Sequence, residues 1–124
     1  MFPNKETINF ANTKGMEPRF KVEFLEDAIE FLESLDEKTR TKIYYNIKLS
    51  QYKNDNELFK KLTDNIWEFR TLHNKTYYRF FAFWDKTNKQ ETLVISTHGI
   101  QKKTGKVSKN EIQKAENLRT IYFE

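Results

Sequence analysis

The sequence contains no cysteine and only two histidines. The lack of cysteine excludes disulfide bonds, a cysteine nucleophile and thiolate metal ligands, and two histidines are too few for a histidine-rich metal centre. We therefore expect neither a metal nor another cofactor. The longest apolar run is far below the ~18 residues that a membrane span needs, and the N-terminal segment shows no apolar signal region. These absences predict a soluble, cytoplasmic protein with no membrane partner.

The chain length bounds the domain organisation. With 124 residues, of which 37% are hydrophobic and 15% aromatic, the chain can bury one core and is too short for two ordinary domains. Residues 1–16 show no sustained pattern, and we expect them to be an extension, either disordered or foreign to the natural chain. Residues 17–124 are predicted to form a single domain.

Positive charge is concentrated in the second half of the chain. Residues 1–56 carry 9 Lys/Arg and 10 Asp/Glu, a net −1, whereas residues 57–124 carry 13 and 8, a net +5. The stretch LVISTHGIQKKTGKVSKNEIQKAE has no acidic residue before Glu111 and contains four lysines in a short span, Lys102, Lys103, Lys106 and Lys109. The asymmetry favours a polyanionic partner such as nucleic acid, although a solvated basic face would explain it equally well.

Hydrophobic periodicity predicts an α+β domain. RFKVEF alternates as a strand does, whereas LEDAIEFLESLD and EKTRTKIYYNIKLSQ have helical periodicity, and Asp36 can cap the second helix. NDNELFKKLTD is expected to add a short helical turn. IWEFRTL, TYYRFFAFWD and ETLVISTHGI predict an antiparallel meander, and SKNE predicts a capping box of Ser108 and Glu111 for a helix ending near Ile121. The expected fold is an N-terminal strand and two-helix hairpin packed on an antiparallel sheet, with a C-terminal helix.

Alternation along the three β-rich runs separates a core face from a polar face. The expected core residues are Trp67, Phe69, Tyr78, Phe80, Ala82, Trp84, Leu93 and Ile95. The expected polar face carries Glu68, Arg70, Tyr77, Arg79, Phe81, Val94, Ser96 and His98. With turns centred near residues 73–74 and 87–88, Glu68 and Ser96 would flank Arg79. Arg70 and His98 would then flank Tyr77, so we expect a site on an open sheet face.

The side chains of this polar face suit the binding and cleavage of a phosphodiester. Arginine binds phosphate oxygens in bidentate fashion and stabilises the charge of a pentavalent transition state, lysine adds point charges, and an aromatic ring stacks on a base. Histidine or glutamate would move the protons. The structural alternative is a cross-strand ion pair of Glu68 and Arg79 on a solvated face. In that reading His98 is a hydrogen-bonded residue at a strand end, and Lys102 and Lys103 belong to a solvated turn.

Three segments, in this order, resemble the HigB-type branch of the RelE/ParE superfamily, the toxins of type II toxin–antitoxin systems. LFKKLTDNIWEFR is similar to the WElR strand of that branch, and YYRFFAFWD is similar to its YR strand. LVISTHGIQKKTGKVSKNEIQKAENL is similar to its HGFxKKt turn and EIxxA helix. The resemblance runs from about residue 17 to the end and implies a compact RelE-like fold.

The resemblance implies a metal-independent endoribonuclease, an mRNA interferase that cuts messenger RNA on the ribosome. It also implies a cognate antitoxin, expected to be a HigA-like helix-turn-helix protein. Matched to the branch's motifs, the catalytic set is Arg70, Arg79, Lys102, Lys103 and His98. The expected RNA-binding set is Glu68, Tyr77, Lys106 and Lys109.

The expected reaction is attack of the ribose 2′-OH on the adjacent phosphate, which yields a 2′,3′-cyclic phosphate. Arg70 and Arg79 would stabilise the equatorial oxygens, and His98 or a lysine would protonate the leaving 5′-oxygen. The sequence departs from the RelE pattern because Ile66 and Glu68 stand where lysines are usual, and no tyrosine shortly follows the basic turn. The alternative is a non-catalytic protein of the ParE kind, which inhibits DNA gyrase.

Overall fold

The computed structural model describes residues 17–87, 93–102 and 106–124. The predicted extension of residues 1–16 and the predicted site residue Lys103 lie outside these ranges. The elements, in chain order, are β1 (Lys21–Phe24), α1 (Glu26–Glu33), α2 (Glu37–Tyr52), β2 (Phe59–Lys61), β3 (Trp67–His73), β4 (Thr76–Asp85), β5 (Leu93–Lys102) and α3 (Lys109–Tyr122).

The five strands form one sheet in the order β1-β5-β4-β3-β2. The α+β prediction, with a C-terminal helix, is confirmed, and the arrangement agrees with a RelE-like fold. The sheet is mixed and not wholly antiparallel, because β1 pairs with β5 in parallel while the other neighbours are antiparallel. A parallel pair needs a long crossover connection, and the segment containing α1, α2 and the β2–β4 strands supplies it.

The helical turn predicted for residues 54–64 is present only before Phe59, where the amides of Leu58 and Phe59 donate to the Asp55 carbonyl, and β2 follows it. The turn does not continue as a helix because Phe59 has stronger partners across the sheet than along the chain. Its ring stacks on Trp67 at 4.9 Å and on Phe69 at 4.4 Å between centroids. Such cross-strand aromatic contacts outweigh a weak local helix preference. The added strand brings Lys60 opposite Glu68.

The β3–β4 hairpin has a two-residue turn at Asn74 and Lys75. Both residues have positive φ, 51° and 62°, which is the backbone of a type I′ turn. The turn lies one residue later than predicted, so each cross-strand pairing moves by two residues. Arg70 therefore lies opposite Arg79, and Tyr77 lies opposite Leu72. The predicted flanking of Arg79 by Glu68 and Ser96 was wrong.

A β-bulge in β5 reverses the faces of its first half. Ala82 pairs with Ser96 and Phe81 with His98, so Thr97 is the additional residue. After the bulge, His98 lies on the side of Arg79, as predicted. Before the bulge the sides are exchanged. Val94 packs with the cluster below α1 and α2, Ile95 packs with Phe83 on the other side, and the predicted faces of Val94, Ser96 and Ile95 were wrong.

Hydrophobic clusters cover both faces of the sheet. The larger cluster joins α1 and α2 to the sheet through Ala28, Leu32, Ile43, Ile47, Phe69 and Phe80. The smaller cluster joins α3 to the sheet through Ala115, Phe81, Phe83 and Ile95. None of the helices in the described part of the chain has the length and apolarity that a bilayer crossing requires.

Side-chain contacts fix the ends of the helices. Asp36 caps α2 as predicted, since its carboxylate accepts a hydrogen bond from the Thr39 amide at 2.7 Å. Ser108 caps α3 by accepting from the Glu111 amide at 3.3 Å. At the other end of α3, the Tyr122 hydroxyl donates to Asp85 Oδ2 at 2.7 Å, which raises the pKa of Tyr122 to about 12. Helix α3 is thereby attached to β4 near its C-terminus.

Candidate functional site

A groove of about 330 Å³ opens on the sheet face that is opposite α1 and α2. Four cationic side chains line it together with one carboxylate: Lys60, Arg70, Arg79, Lys106 and Glu68. Its apolar wall consists of Leu62, Val107 and Ile112. We call this the arginine groove. Because cations outnumber carboxylates four to one along its lining, an anionic ligand is the class of molecule that fits it.

A buried ion pair forms the floor of the arginine groove. Arg79 Nη1 donates to Glu68 Oε2 at 2.8 Å, and the exposed fractions of the two side chains are 7% and 0%. Among the described residues, the second carboxylate oxygen, Glu68 Oε1, has no hydrogen-bond partner. The ion pair that the structural alternative envisaged is present, but the face around it is not open. The expectation of an open sheet face was wrong because Leu62, Val107 and Ile112 pack beside the pair on this face.

Arg70 lies at the rim of the groove and faces Arg79 directly across the strands. Like charges in this position repel, and nearby groups offset the repulsion. Arg70 Nη2 donates to Glu57 Oε1 at 3.0 Å, and the Tyr77 ring lies 5.5 Å from the Arg70 guanidinium and 5.2 Å from that of Arg79. The structure therefore brings together the two predicted arginines and the predicted aromatic residue.

His98 lies away from the groove lining. Its Nε2 is 2.9 Å from Glu111 Oε1 and its Nδ1 is 3.0 Å from Thr97 Oγ1. The residue is 2% exposed, and its ring lies 4.9 Å from that of Phe81. Burial lowers the pKa of His98 below its ordinary value of 6.5, while the hydrogen bond that Nε2 donates to Glu111 partly opposes this shift. His98 thus links β5 to the first turn of α3. In the predicted capping box the Glu111 side chain would bond to the Ser108 amide, but here it bonds to His98.

The predicted lysines occupy different positions relative to the groove. Lys106 lines it, and Lys102 Nζ donates to the Lys106 carbonyl at 3.5 Å. Lys109 is the exposed first residue of α3 and is not part of the lining. Lys60 was not predicted as a site residue. It could have been found from the sequence only by reading NDNELFKKLTD as a strand beside β3, which would have placed Lys60 opposite Glu68.

Comparison with protein families shows the family to which the chain belongs. The family model described as phage-derived protein Gp49-like (DUF891) matches residues 30–120, which include every residue of the arginine groove. The chain belongs to this Gp49-like family, a family of toxin-like proteins in toxin–antitoxin systems. Neither the curated proteins nor the solved structures contain a significant match to the chain.

Proposed function

We propose that this protein is the toxin of a type II toxin–antitoxin system and acts as a metal-independent endoribonuclease on messenger RNA. Membership of the Gp49-like family supports the toxin assignment. The observation that carries the nuclease assignment is the arginine groove, where four cations surround a buried carboxylate–guanidinium pair. The HigB-like order of the sequence motifs adds the RNA substrate and the ribosome as the place of cleavage.

In the proposed reaction, Arg70 and Arg79 hold the scissile phosphate and stabilise the charge that develops on its equatorial oxygens. The ribose 2′-oxygen forms a bond to phosphorus while the bond from phosphorus to the 5′-oxygen breaks. The proton of the 2′-OH passes to solvent water, because the Glu68 carboxylate is 0% exposed and already paired with Arg79. The products are a 2′,3′-cyclic phosphate and a 5′-hydroxyl, so the step needs no co-reactant.

The leaving 5′-oxygen needs a proton donor, and a lysine takes this role in the proposal. Lys106 and Lys60 both line the groove, whereas His98 is buried against Glu111 and Phe81. In this proposal His98 is therefore not the expected acid. It has a structural role, as in the alternative that treats it as a hydrogen-bonded residue at a strand end. Lys102 bonds to the Lys106 carbonyl and thereby contacts the backbone of a groove residue.

The proposed partners are a cognate helix-turn-helix antitoxin, messenger RNA and the ribosome, all in the cytoplasm. A second candidate function is inhibition of DNA gyrase by a non-catalytic toxin of the ParE kind. The observation that favours this alternative is the Glu68–Arg79 pair itself, because a buried ion pair can hold a strand pair together without any chemistry.

Induced expression separates the two functions. Cells that express the chain without an antitoxin should stop growing, lose translated messages within minutes and show no DNA damage response. Mapped 5′ ends should carry hydroxyl groups, and an expressed neighbouring helix-turn-helix protein should restore growth. Growth arrest with intact messages and an induced DNA damage response would contradict the nuclease and support gyrase inhibition.

A further inference from the structure

Two further grooves share lining residues with the arginine groove and lead around the β3 side of the sheet to α2 on the opposite face. The first, of about 300 Å³, is lined by Arg70, Tyr77, Leu72, Glu57, Asn46 and Lys42, and we call it the tyrosine groove. The second, of about 600 Å³, lies along the start of α2 and is lined by Lys42, Lys38, Thr41, Glu37 and His73; we call it the α2 groove. Arg70 lines both the arginine and tyrosine grooves, and Lys42 lines both the tyrosine and α2 grooves.

The grooves place one surface that suits a nucleobase between cationic side chains. After Arg70 come the Tyr77 ring and Leu72, an aliphatic side chain that is 52% exposed at the end of its strand. Lys42 and Lys38 then follow at a spacing of four residues, which places both on one side of α2. A single-stranded nucleic acid is recognised by this combination of a cationic path and ring or apolar surfaces on which bases pack.

Asn46 adds a polar group between the base surface and Lys42. Its side-chain amide donates to Thr71 Oγ1 at 3.2 Å, which joins α2 to β3 and holds the carboxamide at the edge of the tyrosine groove. A carboxamide carries both donor and acceptor atoms and can bond to the edge of an unpaired base. The tyrosine groove therefore has the elements of a nucleotide subsite.

From these contacts we propose that the RNA strand continues out of the arginine groove into the tyrosine groove and then along α2. One base packs on Tyr77 and Leu72, and the phosphates that follow bind Lys42 and Lys38. The inference rests on the proposed function and extends it, because it gives the substrate strand a path on the side away from Lys106. The RNA-binding surface then includes α2, which lies outside the run of lysines in the C-terminal half.

Glu57 occupies the junction of this path. Its carboxylate contacts Arg70 at 3.0 Å, and its side chain is 83% exposed. An exposed ion pair of this kind contributes little to stability, so a phosphate can displace it from Arg70. Glu57 consequently acts as an anionic competitor for the RNA backbone, and removal of its charge should strengthen RNA binding while removal of Lys42 weakens it.

Binding of fluorescent 2′-O-methyl RNA, which has no attacking hydroxyl, tests the path with the full chain. An octanucleotide and a dinucleotide should be titrated by anisotropy at several salt concentrations. For the octanucleotide, Lys42→Ala should weaken binding several-fold and reduce the slope of log affinity against log salt by roughly 0.7, the value for one lost phosphate contact. Glu57→Gln should bind more tightly than the unmodified chain, and the dinucleotide should not distinguish Lys42→Ala.

Lys53→Ala is the matched control, because Lys53 is an exposed lysine at the opposite end of α2 and the substitution removes the same charge. If the chain binds RNA but Lys42→Ala behaves as Lys53→Ala does, the path along α2 is overturned while the proposed function stands. If the unmodified chain binds no RNA, the path is overturned, and cleavage of a message on ribosomes then decides the proposed function. Tighter binding of double-stranded DNA than of RNA would also overturn the path and would favour the gyrase alternative.

Discussion

The two faces of the central sheet differ in the side chains that they carry. The face toward α1 and α2 is built from aromatic rings, with Phe59 between Trp67 and Phe69 and with Phe80 buried beneath Phe31. The face toward α3 is apolar beneath the body of that helix, whereas Glu68, Arg70, Arg79 and Tyr77 lie toward the start of α3 and beyond it. One face supplies most of the burial that stabilises the domain, and the other holds charges in positions where burial disfavours them.

This contrast indicates that the functional site lies on the face that carries the charges. Burial of an ion pair gains little stability over a well-packed apolar pair, so stability alone does not explain why Glu68 and Arg79 lie inside the sheet. A second arginine placed directly opposite Arg79 adds repulsion. Charges kept at such a cost beside a groove are typical of sites that bind or transform an anionic ligand.

The largest expected effect comes from breaking the buried pair. Arg79→Ala leaves the Glu68 carboxylate buried without its partner and should lower the free energy of unfolding by about 3–5 kcal/mol. A second change, Glu68→Gln, removes the buried charge and should restore much of this loss without restoring activity. Chemical denaturation of the single and double variants measures both effects.

Phe80→Ala on the aromatic face is the matched comparison for Arg79→Ala. It should cost a similar amount, about 3–5 kcal/mol, through lost burial and a cavity. Glu68→Gln should not rescue it, because the two changes act on opposite faces. An equal rescue of both variants would show that the faces are not energetically distinct.

Gly99 offers a smaller test of the aromatic face. A Cβ at this position would lie 2.5 Å from Phe31 Cδ2 and 2.8 Å from Phe80 Cε2, because α1 packs closely on β5 here. Gly99→Ala should therefore destabilise the protein by about 1–3 kcal/mol through overpacking. A melting temperature equal to that of the unmodified chain would mean that α1 does not pack on β5 at this distance.

The pH dependence of stability tests the link between β5 and α3. Burial lowers the pKa of His98 in the folded chain below the ordinary value of 6.5. At pH values between the lowered pKa of the folded chain and 6.5, the unfolded chain binds more protons than the folded chain. The free energy of unfolding should therefore fall as the pH decreases below about 6.5. His98→Gln should flatten this part of the profile. An unchanged profile would assign the acid sensitivity to other groups.

The smallest expected effect comes from a substitution in the turn of the β3–β4 hairpin. Lys75 has a φ of 62°, in the left-handed region that costs a non-glycine residue roughly 1–2 kcal/mol. Lys75→Gly relieves this cost but loses part of the gain to the greater freedom of the unfolded chain, so a net stabilisation of up to about 1 kcal/mol is expected. Lys75→Ala, which keeps the backbone cost, should give no such gain in the melting temperature.

The sequence was sufficient for the elements that depend on local periodicity. Alternation in β3 and β4 placed Trp67 and Phe80 on one face and Arg70 and Arg79 on the other, and the caps Asp36 and Ser108 marked the starts of α2 and α3. The arginines and Tyr77 could be placed near one another because residues on one strand face stay together whatever the register.

Features that depend on partners distant in sequence could not be predicted in the same way. The bulge at Thr97 and the shift of the hairpin turn by one residue both changed which side chains face each other. The strand character of β2 arises from Phe59 packing on β3, and the burial of Glu68 and Arg79 arises from Leu62, Val107 and Ile112 packing on that face of the sheet. None of these contacts leaves a periodic signal in its own segment.

The most direct test of the account is cleavage of a translated messenger RNA by the purified protein and its Arg70→Ala variant. Arg70 is suited to this test because its partner Glu57 is exposed, so its removal leaves no buried charge and should not change the melting temperature. The unmodified protein should cut the message on ribosomes, leaving a 2′,3′-cyclic phosphate, and Arg70→Ala should cut at least tenfold more slowly. Cleavage by a folded Arg70→Ala variant at the unmodified rate would contradict the assignment of the arginine groove as the nuclease site.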